Sequence, residues 1–235
     1  MPVERRTPIQ VAEAISRVMK LAPTGKVESV DIVDSYGRYL ALPLKATHDV
    51  PPFPKSPYDG FAIRAQDSIE ASQKKEVEFE IVDEIGAGYV SAKQVGKFQA
   101  VRIMTGAQMP AHTNAVVMLE LTKEYEKNGK KYMSIKRAFR EGDNVSFQGE
   151  DANKGTPLVE KGTSINPGVQ ALLATFGYKE VQVAKKPEIG VYATGTELLD
   201  VDEPLVPGKI RNSNAYMIQG QIKRSGATAK YFGKL

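Results

Sequence analysis

The chain has 235 residues, of which 41% are hydrophobic and 26% charged, with a formal net charge of +4 and no cysteine. This length and composition fit a globular protein of one to three domains, and without cysteine there is no disulfide, thiolate zinc site or cysteine nucleophile. Because the basic excess is small and scattered and no apolar run is long enough to cross a bilayer, we expect neither a nucleic-acid nor a membrane partner.

The first clear element is an amphipathic helix predicted over residues 7–22. Thr7 is in position to cap this helix, and Val11, Ile15 and Val18 fall on one face at helical spacing. The charged N-terminal residues are not followed by an apolar stretch, so we expect no signal peptide and assign the protein to the cytoplasm.

The middle of the chain changes from mixed to β character and back. After a predicted turn of helix at 35–40, alternating and apolar runs predict strands from residue 50 to 148, including a hairpin at Asn128-Gly129. Residues 155–183 then predict strand, helix and strand, with a proline at the start of the helix. Because this stretch resembles the first 48 residues in style, we interpret the β block as an insertion into a domain that both flanking segments form.

The last fifty residues predict the beginning of a further domain. An apolar strand ends near Gly195, a helix capped around Asn212 follows, and residues 227–235 predict a second strand. One βαβ unit cannot bury both faces of its sheet, so we expect the chain to be the front part of a longer protein. The predicted fold class is α/β and β multidomain, with a split α+β domain at 1–48 and 149–184, an inserted β domain at 49–148, and the start of a truncated α/β domain at 185–235.

Four loops place glycine or other small residues beside a carboxylate or a hydroxyl. They are SPYDG at 56–60, RIMTGAQMP at 102–110, GED at 149–151 and TGTEL at 194–198. Each of them could be only a turn, and the residues alone leave that alternative open. The sequence has no P-loop and no GxGxxG motif, and its two histidines do not form a Ser–His–Asp set.

The proline-rich approach to SPYDG indicates a rigid loop. Pro51, Pro52 and Pro54 fix φ and remove backbone donors, so they should hold the chain extended before a predicted tight turn at Asp59-Gly60. We interpret this stiffness as a way to present the Asp59 carboxylate, with an ordinary hairpin turn as the alternative.

TGTEL follows a predicted parallel strand at its carboxyl end, which is where open α/β sheets bind ligands. Thr194 and Thr196 offer hydroxyls, and the backbone of Gly195 can approach a phosphate closely. Glu197 can hold a cation beside that phosphate.

In this order and spacing, five segments resemble the molybdopterin molybdenumtransferase (MoeA) family, which includes the E domain of gephyrin: PPFPKSPYDGFAIR, RIMTGAQMP, GEDANKG, KPEIGVYATGTEL and GKIRNSNAYMI. The resemblance extends from the first helix to the last residue, and the family's later α/β loops and C-terminal barrel have no counterpart here. It implies that the split first domain is elongated and that residues 185–235 begin a molybdopterin-binding domain. It also implies a homodimer whose site lies between the α/β domain of one subunit and the inserted domain of the other.

The family inserts molybdate into adenylylated molybdopterin with release of AMP and with Mg²⁺ as the cation, and the resemblance implies these substrates and this cofactor here. By the same resemblance the catalytic residues are Asp59, Thr105, Asp151 and Glu197, with Glu197 also the metal ligand. The implied substrate-binding residues are Ser56, Gly60, Gly106, Thr194, Gly195, Thr196, Ser213 and Asn214. Thr196 stands where the family usually has an aspartate, so Glu197 alone supports the metal analogy. We expect the 235-residue chain by itself to be inactive, and a non-enzymatic, gephyrin-like scaffold is the alternative function.

Overall fold

The structure, a computed structural model, describes residues 8–22 and 25–235, and this part of the chain is a sheet-rich mixed α/β protein with few helices. Its α-helices are α1 (Val11–Leu21), α2 (Pro167–Thr175) and α3 (Ser213–Arg224). Short 3-10 helices lie at Ile32–Ser35, Ala65–Ser68 and Leu119–Leu121. The strands are β1 (Val27–Asp31), β2 (Leu44–Lys45), β3 (Gly60–Ile63), β4 (Val77–Ile85), β5 (Gln99–Ile103), β6 (Ala115–Met118), β7 (Thr122–Lys127), β8 (Lys130–Ile135), β9 (Pro157–Val159), β10 (Glu180–Ala184), β11 (Glu188–Ala193), β12 (Leu198–Leu199), β13 (Ile210–Arg211) and β14 (Thr228–Lys234).

The chain divides into two compact units. The inserted unit is Lys45–Leu158, and the split unit combines Met1–Leu44 with Val159–Leu235. No helix among the described residues is both long and apolar enough to span a membrane.

The inserted unit is built on a six-stranded sheet in the order β6-β3-β5-β4-β8-β7. Both faces of this sheet are buried, because residues alternate between two apolar clusters along its central strands. Phe61 and Ile63 pack with Phe79 on one face, whereas Ala62 packs with Val101 on the other. A sheet that is covered on both sides gives the loops at its strand ends a rigid base.

The predicted Asn128-Gly129 hairpin is confirmed. Strands β7 and β8 pair antiparallel up to Lys127 and Lys130, with only two residues between them. Asn128 has a φ of 54° and Gly129 a φ of 74°, which are the positive values that a type I′ turn requires at both central positions.

Gly60 is a strand residue and not the turn residue that the sequence predicts. It is the first residue of β3 and pairs with Ile103 on β5 and Met118 on β6. A Cβ atom at this position would lie 2.0 Å from the carbonyl oxygen of Val117. Glycine is therefore required by the close approach of β6, and the turn that precedes β3 does not depend on it.

The inserted unit is longer than the predicted range 49–148. Val50 donates its amide to the carbonyl of Ala152 at 2.8 Å and accepts from the amide of Asp151 at 2.9 Å. These bonds tie the GED motif to the beginning of the inserted unit, so the motif lies in that unit and not in the split domain. The separation of residues 185–235 as a third domain stays a prediction.

The split unit contains the predicted helix and βαβ elements. The side chain of Asn166 accepts a hydrogen bond from the amide of Val169 at 2.9 Å, and Pro167 is the first residue of α2, as expected for a capped helix start. Strand β1 pairs antiparallel with β10, and β11 pairs parallel with β14. The short parallel pair β12–β13 between β11 and α3 was not predicted.

Helix α1 is shorter than predicted and its apolar face is exposed. It begins at Val11 after Gln10, whereas the predicted capping residue Thr7 lies outside the described residues. The side chains of Val11, Ile15 and Val18 are 74%, 59% and 68% exposed. The predicted apolar stripe is present, and no residue of the described part of the chain covers it.

The turn of helix predicted at 35–40 lies earlier in the chain. A 3-10 helix occupies Ile32–Ser35, and the carboxylate of Asp31 accepts a hydrogen bond from the amide of Val33 at 3.0 Å at its start. This start was not predicted because the short helix has no apolar periodicity, and its only signal is the capping aspartate. Pro23, the proline directly after the helix predicted over residues 7–22, lies outside the described residues.

Replacing Gly60 by alanine should destabilise the inserted unit. Because the added methyl group meets the backbone of β6, which cannot move without breaking its pairing, we expect a loss of ~1–3 kcal/mol or more in the free energy of unfolding. Gly220→Ala is the matched control, since Gly220 lies inside α3 with no atom within 4 Å of the new Cβ, and it should gain about 0.5–1 kcal/mol. Chemical denaturation of both variants measures the difference, and equal effects would contradict the close-approach explanation.

Candidate functional site

The proline-rich segment, residues 49–57, is hydrogen-bonded on one side to the Thr105 loop, residues 104–107. The amide of Gly106 donates to the carbonyl of Ser56 at 2.8 Å, and the amide of Ser56 donates to the carbonyl of Ala107 at 3.0 Å. This reciprocal pair fixes the Thr105 loop against the residues that immediately precede Asp59.

On its other side the same segment is bonded to the Asp151 loop, residues 147–154. The amide of Gly149 donates to the carbonyl of Pro51 at 3.0 Å, and the amide of Asp151 donates to the carbonyl of Val50 at 2.9 Å. One stretch of backbone therefore brings together three of the four predicted motifs in the inserted unit: SPYDG, RIMTGAQMP and GED.

Asp59 accepts two hydrogen bonds from a single residue. Its Oδ1 atom receives the backbone amide of Thr105 at 2.7 Å and the hydroxyl of Thr105 at 2.9 Å. The amide and then the hydroxyl hold the pKa of the Asp59 carboxyl below its ordinary value. Since a lowered folded-state pKa keeps the ionised form down to more acidic pH, Asp59 is a carboxylate at neutral pH. The side chain is exposed, so this charge is available to a ligand.

Ser56 does not fit the predicted role of a substrate-binding residue. Its side chain is fully buried, and its hydroxyl donates to the carbonyl of Tyr58 at 2.5 Å and accepts from the Tyr58 amide at 3.2 Å. Ser56 therefore closes the turn that leads to Asp59. Gly60 is likewise buried within β3, and its part in substrate binding stays a prediction.

Gly106 shapes the loop that presents Thr105. The amide of Ala107 donates to the carbonyl of Met104 at 3.0 Å, which closes a tight turn with Thr105 and Gly106 at its centre. Gly106 has a φ of 84°, the positive value that a type II turn needs at its third residue. This turn directs the amide of Thr105 toward Asp59.

Asp151 lies in an exposed loop, and the residue that fixes this loop was not predicted. Asp49 accepts the amide of Lys154 on Oδ1 and the side-chain amide of Gln148 on Oδ2, each at 2.8 Å. The bond from Lys154 and, to a lesser extent, that from Gln148 lower the pKa of the Asp49 carboxyl. The available signal in the sequence was an aspartate two residues before Pro51, at the start of the proline-rich segment.

A cavity, the α3 pocket, lies within the split unit between the carboxyl end of β11 and the N-terminus of α3. Its volume is about 310 Å³. Its polar lining residues are Thr194, Glu197, Arg211, Asn212, Ser213 and Asn214. Four of the predicted residues therefore line it, while Gly195 and Thr196 lie in the adjoining turn.

The turn beside the α3 pocket leaves room for the Glu197 carboxylate. A Cβ atom on Gly195, whose φ is 148°, would lie 2.6 Å from the Oε1 atom of Glu197. The Nζ atom of Lys209 donates to the carbonyl of Thr196 at 2.7 Å, and the amide of Ile210 donates to the carbonyl of Glu197 at 2.9 Å. The contribution of Thr196 that the structure records is thus a backbone contact that fixes the turn.

The α3 pocket has the charge that an anionic ligand requires. Asn212 is 3% exposed, and its side chain accepts from the amide of Ala215 at 3.1 Å and donates to the hydroxyl of Tyr231 at 3.0 Å. The N-terminus of α3 borders this cavity, and such helix ends favour phosphate. Arg211 also lines the cavity, and its guanidinium donates to the carbonyl of Glu203 at 3.2 Å. Neither Arg211 nor Asn212 was predicted as a site residue, although the polar run RNSN before the helix was the available signal.

The residues of the α3 pocket can hold a cation only if a bound ligand supplies further oxygen atoms. No group of three or more His, Asp or Glu side chains among the described residues is arranged to hold a metal ion. Mg²⁺ is commonly held by one or two carboxylates together with substrate phosphates and water. Glu197 beside a phosphate-binding helix end meets that description, and it needs the oxygen atoms of the ligand to complete the coordination.

The sequence matches a known family over most of its length. Residues 9–177 match the family described as MoeA N-terminal region (domain I and II). Over 233 residues the chain is 57% identical to the molybdopterin molybdenumtransferase of Bacillus subtilis (strain 168), a match that covers 99% of this chain and 54% of the relative. It is 50% identical to the protein of the same name from Staphylococcus epidermidis, with 96% of this chain and 53% of the relative covered.

Solved structures of the same kind share the fold. The crystal structure of the molybdopterin biosynthesis MoeA protein from Pyrococcus horikoshii OT3 superposes with a TM-score of 0.80 at 33% identity, over 89% of this chain and 55% of that one. A second crystal structure of a Pyrococcus MoeA protein gives a TM-score of 0.87 at 30% identity, over 97% of this chain and 57% of that one. The chain spans about half the length of the curated relatives that it matches. The sequence match and the shared fold agree, and the chain belongs to the MoeA family.

Proposed function

We propose that the intact protein to which this sequence belongs inserts molybdate into adenylylated molybdopterin and releases AMP. The observation that supports this most is the Asp59 carboxylate, which Thr105 fixes through two hydrogen bonds at 2.7 and 2.9 Å. It occurs in a chain that is 57% identical to a protein named molybdopterin molybdenumtransferase. The proposal locates the reaction in the cytoplasm, as expected from the sequence.

In this proposal Asp59 and Asp151 position the incoming oxyanion through its water or cation. Thr105 uses its amide and hydroxyl to hold one oxygen of Asp59, so the carboxylate does not have to be ordered when the substrate arrives. A group that is already ordered before binding lowers the entropic cost of the reaction. Asp151 is tied to the same proline-rich segment through Val50, so both acids share one rigid support.

The α3 pocket binds the phosphate part of adenylylated molybdopterin in this proposal. Ser213 and Asn214 lie at the N-terminus of α3, where backbone amides can donate to an anion, and Arg211 adds a positive charge. Glu197 is the ligand proposed for Mg²⁺, which when bound neutralises charge on the phosphoanhydride that is cleaved. The Lys209 contact to Thr196 keeps the Glu197 turn in place.

Asp59→Asn in the intact protein should abolish molybdenum insertion without unfolding it. Both bonds from Thr105 end on Oδ1, so the asparagine oxygen can accept them while the negative charge is lost. We expect insertion to fall by ~10²-fold or more, with a nearly unchanged thermal midpoint. Activity within about threefold of the wild type would contradict the catalytic role, because positioned groups usually contribute far more. A loss of folding would favour the turn alternative.

Glu197→Gln should weaken the dependence on Mg²⁺ specifically. Because a neutral amide is a poorer ligand for a hard cation than a carboxylate, half-maximal activity should need about tenfold more Mg²⁺ or more. Glu160→Gln, an exposed acid of the same unit outside the pocket, should leave the Mg²⁺ titration unchanged. An unchanged titration for Glu197→Gln would contradict the metal assignment.

We further propose that the protein forms a homodimer through α1. The apolar stripe of Val11, Ile15 and Val18 is more than half exposed, and a repeated apolar stripe on a helix is a surface that a second copy can cover. Two-fold symmetric pairs are the commonest homo-oligomers, since each subunit then supplies the same patch.

Light scattering should show the 235-residue chain at twice its monomer mass of 25.7 kDa. Ile15→Arg should shift the chain to the monomer because it places a charge in the apolar stripe. Ser16→Arg, next to it in sequence but outside the stripe, should stay dimeric. A wild-type mass of 25.7 kDa that does not rise with concentration would contradict the dimer, and a dimeric Ile15→Arg would contradict the part assigned to α1.

A further inference from the structure

Asp49 lies outside the four predicted motifs, yet both of its carboxylate oxygens bind the Asp151 loop. Oδ1 accepts the backbone amide of Lys154 and Oδ2 accepts the side-chain amide of Gln148, each at 2.8 Å. The two donors stand on either side of the GED tripeptide. One side chain therefore holds the loop at both of its ends.

The loop between these two contacts is tightly packed. Gly149 has a φ of 72°, and a Cβ atom at this position would lie 2.5 Å from Oδ1 of Asn153 and 3.7 Å from Cβ of Asp49. The neighbouring residue Val50 exchanges backbone hydrogen bonds with Ala152 and also accepts the amide of Asp151. The Asp49 contacts and the backbone bonds therefore restrain the same short stretch from two directions.

We propose that Asp49 is a positioning residue for Asp151: it fixes the loop in the conformation in which the Asp151 carboxylate takes part in molybdate insertion. The inference rests on the proposed function. An ionised aspartate suits this role because it presents two acceptor oxygens to two donors at once, whereas an asparagine presents one acceptor and one donor. Asp49 itself does not contact the substrate in this proposal.

Asp49→Ala in the intact protein should loosen the loop without unfolding the protein. Alanine has no side-chain acceptor, so the contacts with Gln148 and Lys154 are both lost. Asparagine would not make this test, because the Gln148 amide can turn over and accept from it while its oxygen still accepts from Lys154. We expect kcat for molybdenum insertion to fall by up to about 10²-fold, the cost of a small misplacement, while KM and the thermal midpoint stay close to the wild type. Asp143→Ala is the matched control, because it also removes a carboxylate that accepts a backbone amide, that of Arg140, but one outside the Asp151 loop.

The contact between positions 49 and 148 can also be rebuilt with its donor and acceptor exchanged. Gln148→Glu alone places two carboxylates together and should lower kcat as well. In the double variant Asp49→Asn/Gln148→Glu, the amide nitrogen at position 49 donates to the carboxylate at position 148, while its oxygen still accepts from Lys154. We expect kcat to return to within about threefold of the wild type, a rescue that a general loss of stability would not give.

Amide hydrogen exchange provides a readout that does not depend on activity. The amides of Lys154 and Asp151 should exchange faster in Asp49→Ala than in the wild type, and at the wild-type rate in the double variant. Wild-type exchange and wild-type kcat in Asp49→Ala, or a double variant as impaired as Gln148→Glu alone, would overturn the inference. A wild-type intact protein that inserts no molybdenum would instead contradict the proposed function, while the exchange rates would still report whether Asp49 fixes the loop.

Discussion

The candidate site of the inserted unit depends on the backbone hydrogen bonds of the proline-rich segment. Pro51 and Pro54 have no amide to donate, but their carbonyls still need partners, and the loops on either side supply them through Gly149 and Met109. The same residues that stiffen the segment therefore also require both loops to dock on it. Stiffness and loop attachment follow from one constraint, and the conformation of the chain before Asp59 follows from both.

Features that a few neighbouring residues determine could be predicted from the sequence, and features that depend on distant segments could not. The Asn128-Gly129 hairpin and the start of α2 at Pro167 follow from local backbone preferences, and both are present. Gly60 was misinterpreted because glycine is required there by the carbonyl of Val117, which lies on a neighbouring strand. The burial of Ser56 was missed for the same reason, since its surroundings come from elsewhere in the chain.

The α3 pocket likewise has one set of residues that the sequence predicted and one that it did not. Thr194 and Glu197 could be placed because the carboxyl end of a parallel strand is a general ligand position. Arg211 and Asn212 could not be placed in this way. They lie at the end of β13 and directly after it, and the pairing of β13 with β12 has no signal in the sequence. The hydrogen bond from Asn212 to Tyr231 joins the start of α3 to β14, a contact that only the folded unit defines.

Asp59 and Asp49 are both bound by backbone amides, but they differ in how their oxygens are used. Both contacts to Asp59 end on Oδ1, whereas Asp49 uses one oxygen for Lys154 and the other for Gln148. An asparagine can reproduce the first arrangement with its neighbours unchanged, and the second only if the Gln148 amide turns over and accepts. Geometry and charge are therefore separable at Asp59, where the remaining requirement for an acid is its charge. At Asp49 both oxygens are used as acceptors, which is the property expected of a residue that positions a loop.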